Sequence, residues 1–292
     1  MAVGFAGLGL MGRPMAIHLC RAGLPVVVYN RSPLPLETLQ KHGATIAPSP
    51  EALFDACDTI ILMLADDAST DAVIGRGGTE FDQRMRNRLI INMGTHRPAY
   101  SRALEADIRA AGGAFVEAPV SGSRPSAEAG TLIAMVAGDN HAVARALPLL
   151  RTMCRDVVRV GAVPQALAMK MAVNHYLIAT VAALSEAANL ALALGLDLEL
   201  FSSIIAGGQL GSEVASAKLA KILHRDFSPQ ASIRDVCKNA ALVAGAAADA
   251  QVASPILDEA RYLFESVLAR GAGELDMAAV VSAFEDTKVV VR

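Results

Sequence analysis

The sequence predicts a doubly wound α/β domain followed by an all-α domain, on two patterns and one length. Up to about Val160, short unbroken aliphatic runs alternate with stretches of helical periodicity. Beyond Gly161 those runs give way to long Ala- and Leu-rich stretches. At 292 residues the chain has room for about two domains of ~150 residues each. The change of character sets the boundaries at 1–161 and 162–292.

The first strand is Val3-Gly-Phe-Ala6, and a helical pattern from Met11 to Ala22 follows. Further strands are expected at 25–29, 59–63, 89–92, 114–117 and 132–136, with helical spacing between them, as from Ala99 to Ala111. Unbroken aliphatic strands are those buried on both faces, so a largely parallel sheet lies between helical layers, joined by right-handed crossovers. In the second domain Val163-Pro164 suits a helix start, proline being tolerated in the first turn. Nothing then breaks the helix until Leu194; roughly 30 residues at ~1.5 Å each make a rod of about 45 Å that links the domains. Later helices are punctuated by Gly195, Gly207-Gly208, Phe227-Ser-Pro229, Ser254-Pro255 and Gly271.

Composition narrows the class of function. With 53% hydrophobic residues the chain is not disordered, and 26 basic against 29 acidic side chains argue against a nucleic-acid partner. The longest apolar run, Tyr176 to Leu184, falls short of the ~18 residues of a membrane span, and the N-terminus lacks a signal peptide's basic segment. Cys20, Cys57, Cys154 and Cys237 are far apart, with no CxxC. The expectation is a soluble cytoplasmic protein with no membrane partner. Its aliphatic excess predicts an apolar face for a homodimer or homotetramer. The six histidines lack metal-ligand spacing, so no metal is expected. Asp66-Asp67 and the charges from Arg84 to Arg88 read as solvated.

Gly7-Leu8-Gly9-Leu10-Met11-Gly12 is a G-x-G-x-x-G directly after a predicted strand and opening a predicted helix, the context that gives this motif meaning. Gly7 allows the tight turn, Gly9 lets a pyrophosphate approach the backbone, and Gly12 lets the helix pack closely. The helix N-terminus offers N–H groups and partial positive charge to the phosphates. A Rossmann-type dinucleotide site follows. At the end of the second strand, where a carboxylate would grip the ribose of NAD, stand Asn30-Arg31-Ser32. Arg31 and Ser32 suit a 2′-phosphate, so NADP(H) is favoured over NAD(H).

Ser121-Gly122-Ser123 puts small residues and backbone N–H groups after a strand, a cradle for a carboxylate. Lys170 and Asn174, four apart, share one face of the long helix. Met169, Met171, Ala172 and Val173 around them are apolar, and a lysine so placed loses hydration and basicity, as a general acid/base near neutrality requires.

Taken together, G-L-G-L-M-G-R-P-M-A, N-R-S after strand two, Gly94-Thr95 after strand five, A-P-V-S-G-S, K-M-A-V-N and the late Lys238 resemble the β-hydroxyacid dehydrogenase family. The resemblance to these 3-hydroxyisobutyrate dehydrogenase-like proteins covers the whole chain and is closest to the glyoxylate and succinic semialdehyde reductase branch. It implies a Rossmann domain, a helical domain, and an active site between them. It also implies NADPH-dependent, reversible reduction of short carboxylated aldehydes to hydroxyacids. Lys170 would then be the acid/base, with Asn174, Ser121 and Gly122 holding substrate. Thr95 and Lys238 would flank the nicotinamide, and Leu64 and Ala65 the adenosine and ribose.

Three positions depart from the family pattern: Asn239 for the Asp after the late lysine, Ala231 for an aromatic residue, and Ala65 for a proline. The first two imply a roomier, more positive substrate pocket. Imine reduction on the same scaffold is a second reading, which Lys170 argues against. A non-catalytic NADP-binding interaction module is a third.

Overall fold

The computed structural model describes residues 2–285, so the last seven residues of the expected second domain lie outside the described residues. The chain divides into two compact units, Met1–Lys170 and Met171–Arg292. The first unit runs β1 (Val3–Ala6), α1 (Gly12–Arg21), β2 (Val26–Tyr29), α2 (Leu34–Lys41), β3 (Thr45–Ile46), α3 (Pro50–Ala56), β4 (Thr59–Leu62), α4 (Asp67–Ile74), α5 (Phe81–Met85), β5 (Leu89–Asn92), α6 (Pro98–Ala110) and β6 (Ala114–Glu117). It continues through β7 (Val120–Ser121), α7 (Arg124–Ala129), β8 (Leu132–Gly138), α8 (Asn140–Met153) and β9 (Cys154–Gly161). Helix α9 (Gln165–Ala193) begins in this unit and continues into the second.

The sheet has the order β3-β2-β1-β4-β5-β6-β8-β7, with β9 beside β8. Strands β3 to β6 are all parallel, in the doubly wound order whose reversal between β1 and β4 opens a crevice at the strands' C-terminal ends. Strand β8 runs antiparallel to β6, and β9 parallel to β8. Successive side chains on the strands go to opposite faces. Phe5, Ile61, Ile91 and Val116 join one core with Leu19 and Leu150 from the helices. Ile60, Leu62, Ile90 and Phe115 join another with Leu53, Leu104 and Ile108. Two buried faces account for the unbroken aliphatic strands.

In the second unit α10 (Leu198–Gly207), α11 (Glu213–His224), α12 (Ile233–Asp249) and α13 (Pro255–Ala269) lead to a 3₁₀ turn at Met277–Val281 and α14 (Ser282–Glu285). Ile178 and Val181 of α9 pack with Val236, Ala240 and Val243 of α12 and with Phe264 of α13.

Several expectations need correction. Helix α9 starts at Gln165, so Pro164 stands just before the first turn and its carbonyl accepts from the Ala168 N–H. By length and composition α9 is apolar enough to cross a membrane, with a mean hydropathy of 1.5 in its most apolar window. The count of unbroken apolar residues missed this because Asn174, His175 and Ser185 interrupt the run. Arg84 and Arg88 are not merely solvated. Arg84 pairs with Glu51 at 2.9 Å, and Arg88 donates to the carbonyls of Phe54 and Cys57, both at 3.1 Å.

Candidate active site

Loops after β1, β2, β4 and β5 leave the C-terminal ends of parallel strands, and a further stretch follows β7, which pairs antiparallel with β8. The first is the turn between β1 and α1. Gly7 has φ +96°, and a Cβ there would strike the Met63 carbonyl, while a Cβ on Gly12 would strike the carbonyl of Gly7 itself. Both positions therefore need glycine for the chain's own packing. A Cβ on Gly9 meets nothing within 4 Å, so the chain leaves open space there in which a bound group could approach the backbone. Helix α1 begins without a side-chain cap, with Leu10 and Met11 at its entrance. An exposed glycine edge beside an uncapped helix N-terminus at the sheet's crevice fits a dinucleotide pyrophosphate.

The second stretch follows β2. The amide of Asn30 braces the turn, its Oδ1 accepting from Leu8 N (2.9 Å) and its Nδ2 donating to the Ser32 carbonyl (2.8 Å). Asn30 and the Leu8 N–H are thus engaged with each other, while Arg31 and Ser32 are exposed.

Leu64-Ala65 after β4 and Gly94-Thr95 after β5 form the third pair of loops. His96, fully buried, shares a hydrogen bond between its Nδ1 and Asp67 Oδ1 at 2.7 Å. Tyr100 stacks on the imidazole with ring centroids 5.1 Å apart. Asp66 caps α4 in a capping box with Ser69. The two aspartates therefore build the loop, contrary to the solvated reading. Sequence reasoning passed over His96 because its partner lies 29 residues away and only the β4–β5 pairing brings the loops together.

The fourth stretch carries Ser121, Gly122 and Ser123 between β7 and α7, where Ser123 precedes the helix without capping it. Ser121 and Ser123 are half-buried and Gly122 is exposed.

Helix α9 carries Lys170 and Asn174 one turn apart. Lys170 is 8% exposed, and burial alone lowers its pKa to about 8. Asn174 is buried and its Nδ2 has no partner. Among the second unit's helices, Lys238 and Asn239 sit on α12, both half-buried, and the Oδ1 of Asn239 is likewise unpartnered. Ala231 lies just ahead of α12, its N–H held by Asp276 at 3.2 Å. Asp276 is fully buried and paired with Lys218 at 2.8 Å, an anchor the sequence did not disclose.

A glycine-rich turn at the switch point of a doubly wound sheet, with a dehydrated lysine on the helix that follows the sheet, defines a nicotinamide-dinucleotide-dependent oxidoreductase. Residues 2–161 match the family model for the NAD binding domain of 6-phosphogluconate dehydrogenase, and 165–284 match that for NAD-binding of NADP-dependent 3-hydroxyisobutyrate dehydrogenase. The chain is 30% identical over 289 residues to glyoxylate/succinic semialdehyde reductase 2, chloroplastic, of Arabidopsis thaliana, covering 99% of this chain and 80% of that one. It is 30% identical over 283 residues to reductase 1 of the same plant, covering 97% and 98%. Among solved structures, Mycobacterium tuberculosis 3-hydroxyisobutyrate dehydrogenase with L-serine superposes with a TM-score of 0.85 at 27% identity, covering 97% of this chain and 98% of that one. The chain belongs to the 3-hydroxyisobutyrate dehydrogenase family. It is an NAD(P)-dependent oxidoreductase of the β-hydroxyacid dehydrogenase type, acting on hydroxyl groups.

Proposed function

We propose that the protein reduces short aldehydes bearing a carboxylate to hydroxyacids, reversibly, preferring NADPH and using Lys170 as general acid/base. The observation that carries this reading is Lys170 itself, a buried amine on which only burial acts and whose pKa of about 8 lets it hold or release a proton near neutrality. The dinucleotide, with its pyrophosphate at the glycine-rich turn, would supply the hydride from its nicotinamide. As negative charge gathers on the carbonyl oxygen, the Lys170 ammonium hydrogen-bonds that oxygen and delivers its proton there; in reverse the neutral amine takes the hydroxyl proton. The unpartnered Nδ2 of Asn174, on the same helix face, supplies a second donor. Backbone amides around Ser121, Gly122 and Ser123 receive the substrate carboxylate.

The absence of a carboxylate at the end of β2, with Arg31 and Ser32 exposed there, supports NADPH. Ala231 and Asn239, small and uncharged, support an aldehyde longer and more anionic than glyoxylate. Four free cysteines support a reducing compartment, the cytoplasm.

One assay tests these readings: NADPH oxidation with glyoxylate and with succinic, tartronate and methylmalonate semialdehydes, repeated with NADH and with Arg31→Ala. The expected kcat/KM for the four-carbon succinic semialdehyde exceeds that for glyoxylate by about tenfold. Arg31→Ala should weaken NADPH by ~10- to 100-fold, as loss of a hydrogen bond to a charged group does, and leave NADH nearly unchanged. A preference for glyoxylate overturns the pocket reading, and equal losses for both cofactors overturn the role of Arg31.

A further inference from the structure

We propose that Glu117 is a positioning residue for Lys170: a carboxylate at the end of β6 that holds the first turn of α9 and so fixes where the amine stands. The proposal rests on the reading of Lys170 as the acid. Glu117 is fully buried. Its Oε1 accepts from the N–H groups of Ala166 (2.7 Å) and Leu167 (3.2 Å), while its Oε2 accepts from Ser101 Oγ of α6 (2.5 Å). The first N–H groups of a helix have no partner inside it, so the carboxylate satisfies two amides that would otherwise be stranded. Lys170 stands four residues after Ala166, about one turn on. The first turn of α9 therefore cannot slide or rotate without breaking these bonds, and Lys170 would move with it.

The contrast with other helices of this chain shows that a cap alone did not require this arrangement. Helices α8, α10, α11 and α12 are capped locally, by Asp139, Asp197, Ser212 and Ser232. Among the described residues, only at α9 does a carboxyl reach in from a strand 49 residues earlier, and burying a carboxyl is costly. That cost falls at the helix bearing Lys170.

Burial raises the pKa of Glu117; Ser101 and the two α9 amides oppose that rise, and Glu105 of α6 adds to it. Lys170 is the only charged side chain in the first two turns of α9.

The experiment compares wild type, Glu117→Gln, Glu117→Ala and Lys170→Met at saturating NADPH. The readouts are kcat, KM and the pH at which aldehyde reduction falls off. Glu117→Gln keeps an acceptor for the α9 amides but loses the charge. It should retain kcat within about fivefold and leave the falling limb in place, since burial alone sets the proton affinity of Lys170. Glu117→Ala should lower kcat by at least about tenfold with KM changed less than threefold, as expected of a misplaced proton donor. A folded Glu117→Ala enzyme within about threefold of wild-type kcat overturns the proposal. If that variant does not fold, Glu117→Asp, whose carboxylate falls a methylene short of the α9 amides, decides in its place, and a kcat within about threefold of wild type overturns the proposal. Lys170→Met separates the two readings: if it keeps turnover, the acid is misassigned. If it loses turnover while the Glu117 variants behave as wild type, only the positioning role fails.

Discussion

A lysine held in a nearly dry environment sacrifices stability for chemistry, and Lys170 shows both sides. Its folded pKa of about 8 lies below the ordinary value of 10.5, so the folded state disfavours the ammonium. The sign follows: the penalty is full below about 8 and fades as pH rises toward 10.5, the reverse of a salt-bridged lysine. The proposed reaction needs the opposite, because its acid would be the ammonium. Its kcat/KM should be flat below pH 8 and fall about tenfold per unit above it, while hydroxyacid oxidation, which needs the neutral amine, rises up to about pH 8 and levels off above it. Lys170→Met should cut kcat by ~10²–10⁴ and raise the thermal midpoint, since the apolar replacement suits the burial. A variant that retains turnover within threefold, or a flat profile from pH 6 to 10, would remove Lys170 from the mechanism. The lysine and its asparagine were legible in the sequence because both lie on one helix, four residues apart. Glu117 and His96 were not, because their partners lie 49 and 29 residues away and the register of the sheet sets the contacts.

At the scale of elements, legibility followed burial. Strands β4, β5 and β6 could be placed within a residue because each is an aliphatic run between two covered faces. Strand β9, Cys-Arg-Asp-Val-Val-Arg-Val-Gly, was missed. It carries exposed Arg155, Asp156 and Arg159, since the edge of a sheet tolerates charge that its centre does not. Strands β3 and β7 are two residues each, too short for any periodicity to register. The helix breaks in the second unit were legible because glycine and proline act on the backbone itself, whatever packs nearby. Charges misled where guanidinium groups turn inward to cap carbonyls, as Arg88 does at the C-terminal end of α3.

For the whole molecule, the second unit carries several exposed large apolar side chains. Tyr176 on α9 is 77% exposed, and Leu200 and Ile204 on α10 are 62% and 71% exposed, with Leu190, Leu194 and Leu196 between them in sequence. A second copy of the chain seated on these residues would cover them. Light scattering after size exclusion should give at least a dimer at micromolar concentration, and Leu200→Asp with Ile204→Asp should shift it toward monomer. A wild-type monomer counts against the idea, and a chain that stays dispersed only in detergent points to a membrane, for which α9 is long enough. The composition disclosed the surplus of aliphatic residues but not their location, because surface and core leucines look alike in sequence.

The three glycines of the first turn also bear on inheritance. A side chain at Gly7 or Gly12 collides with the chain's own backbone, so a variant there should be cleared and lower the dose of protein. A side chain at Gly9 collides with nothing in the chain, so that variant should accumulate at normal abundance, fold, and exclude cofactor. Where both alleles are expressed, the first kind of loss is recessive, merely halving supply. The second leaves folded but inert protein at normal abundance. Comparing immunoblot abundance with activity distinguishes them, and a scarce Gly9→Ala chain would void the distinction.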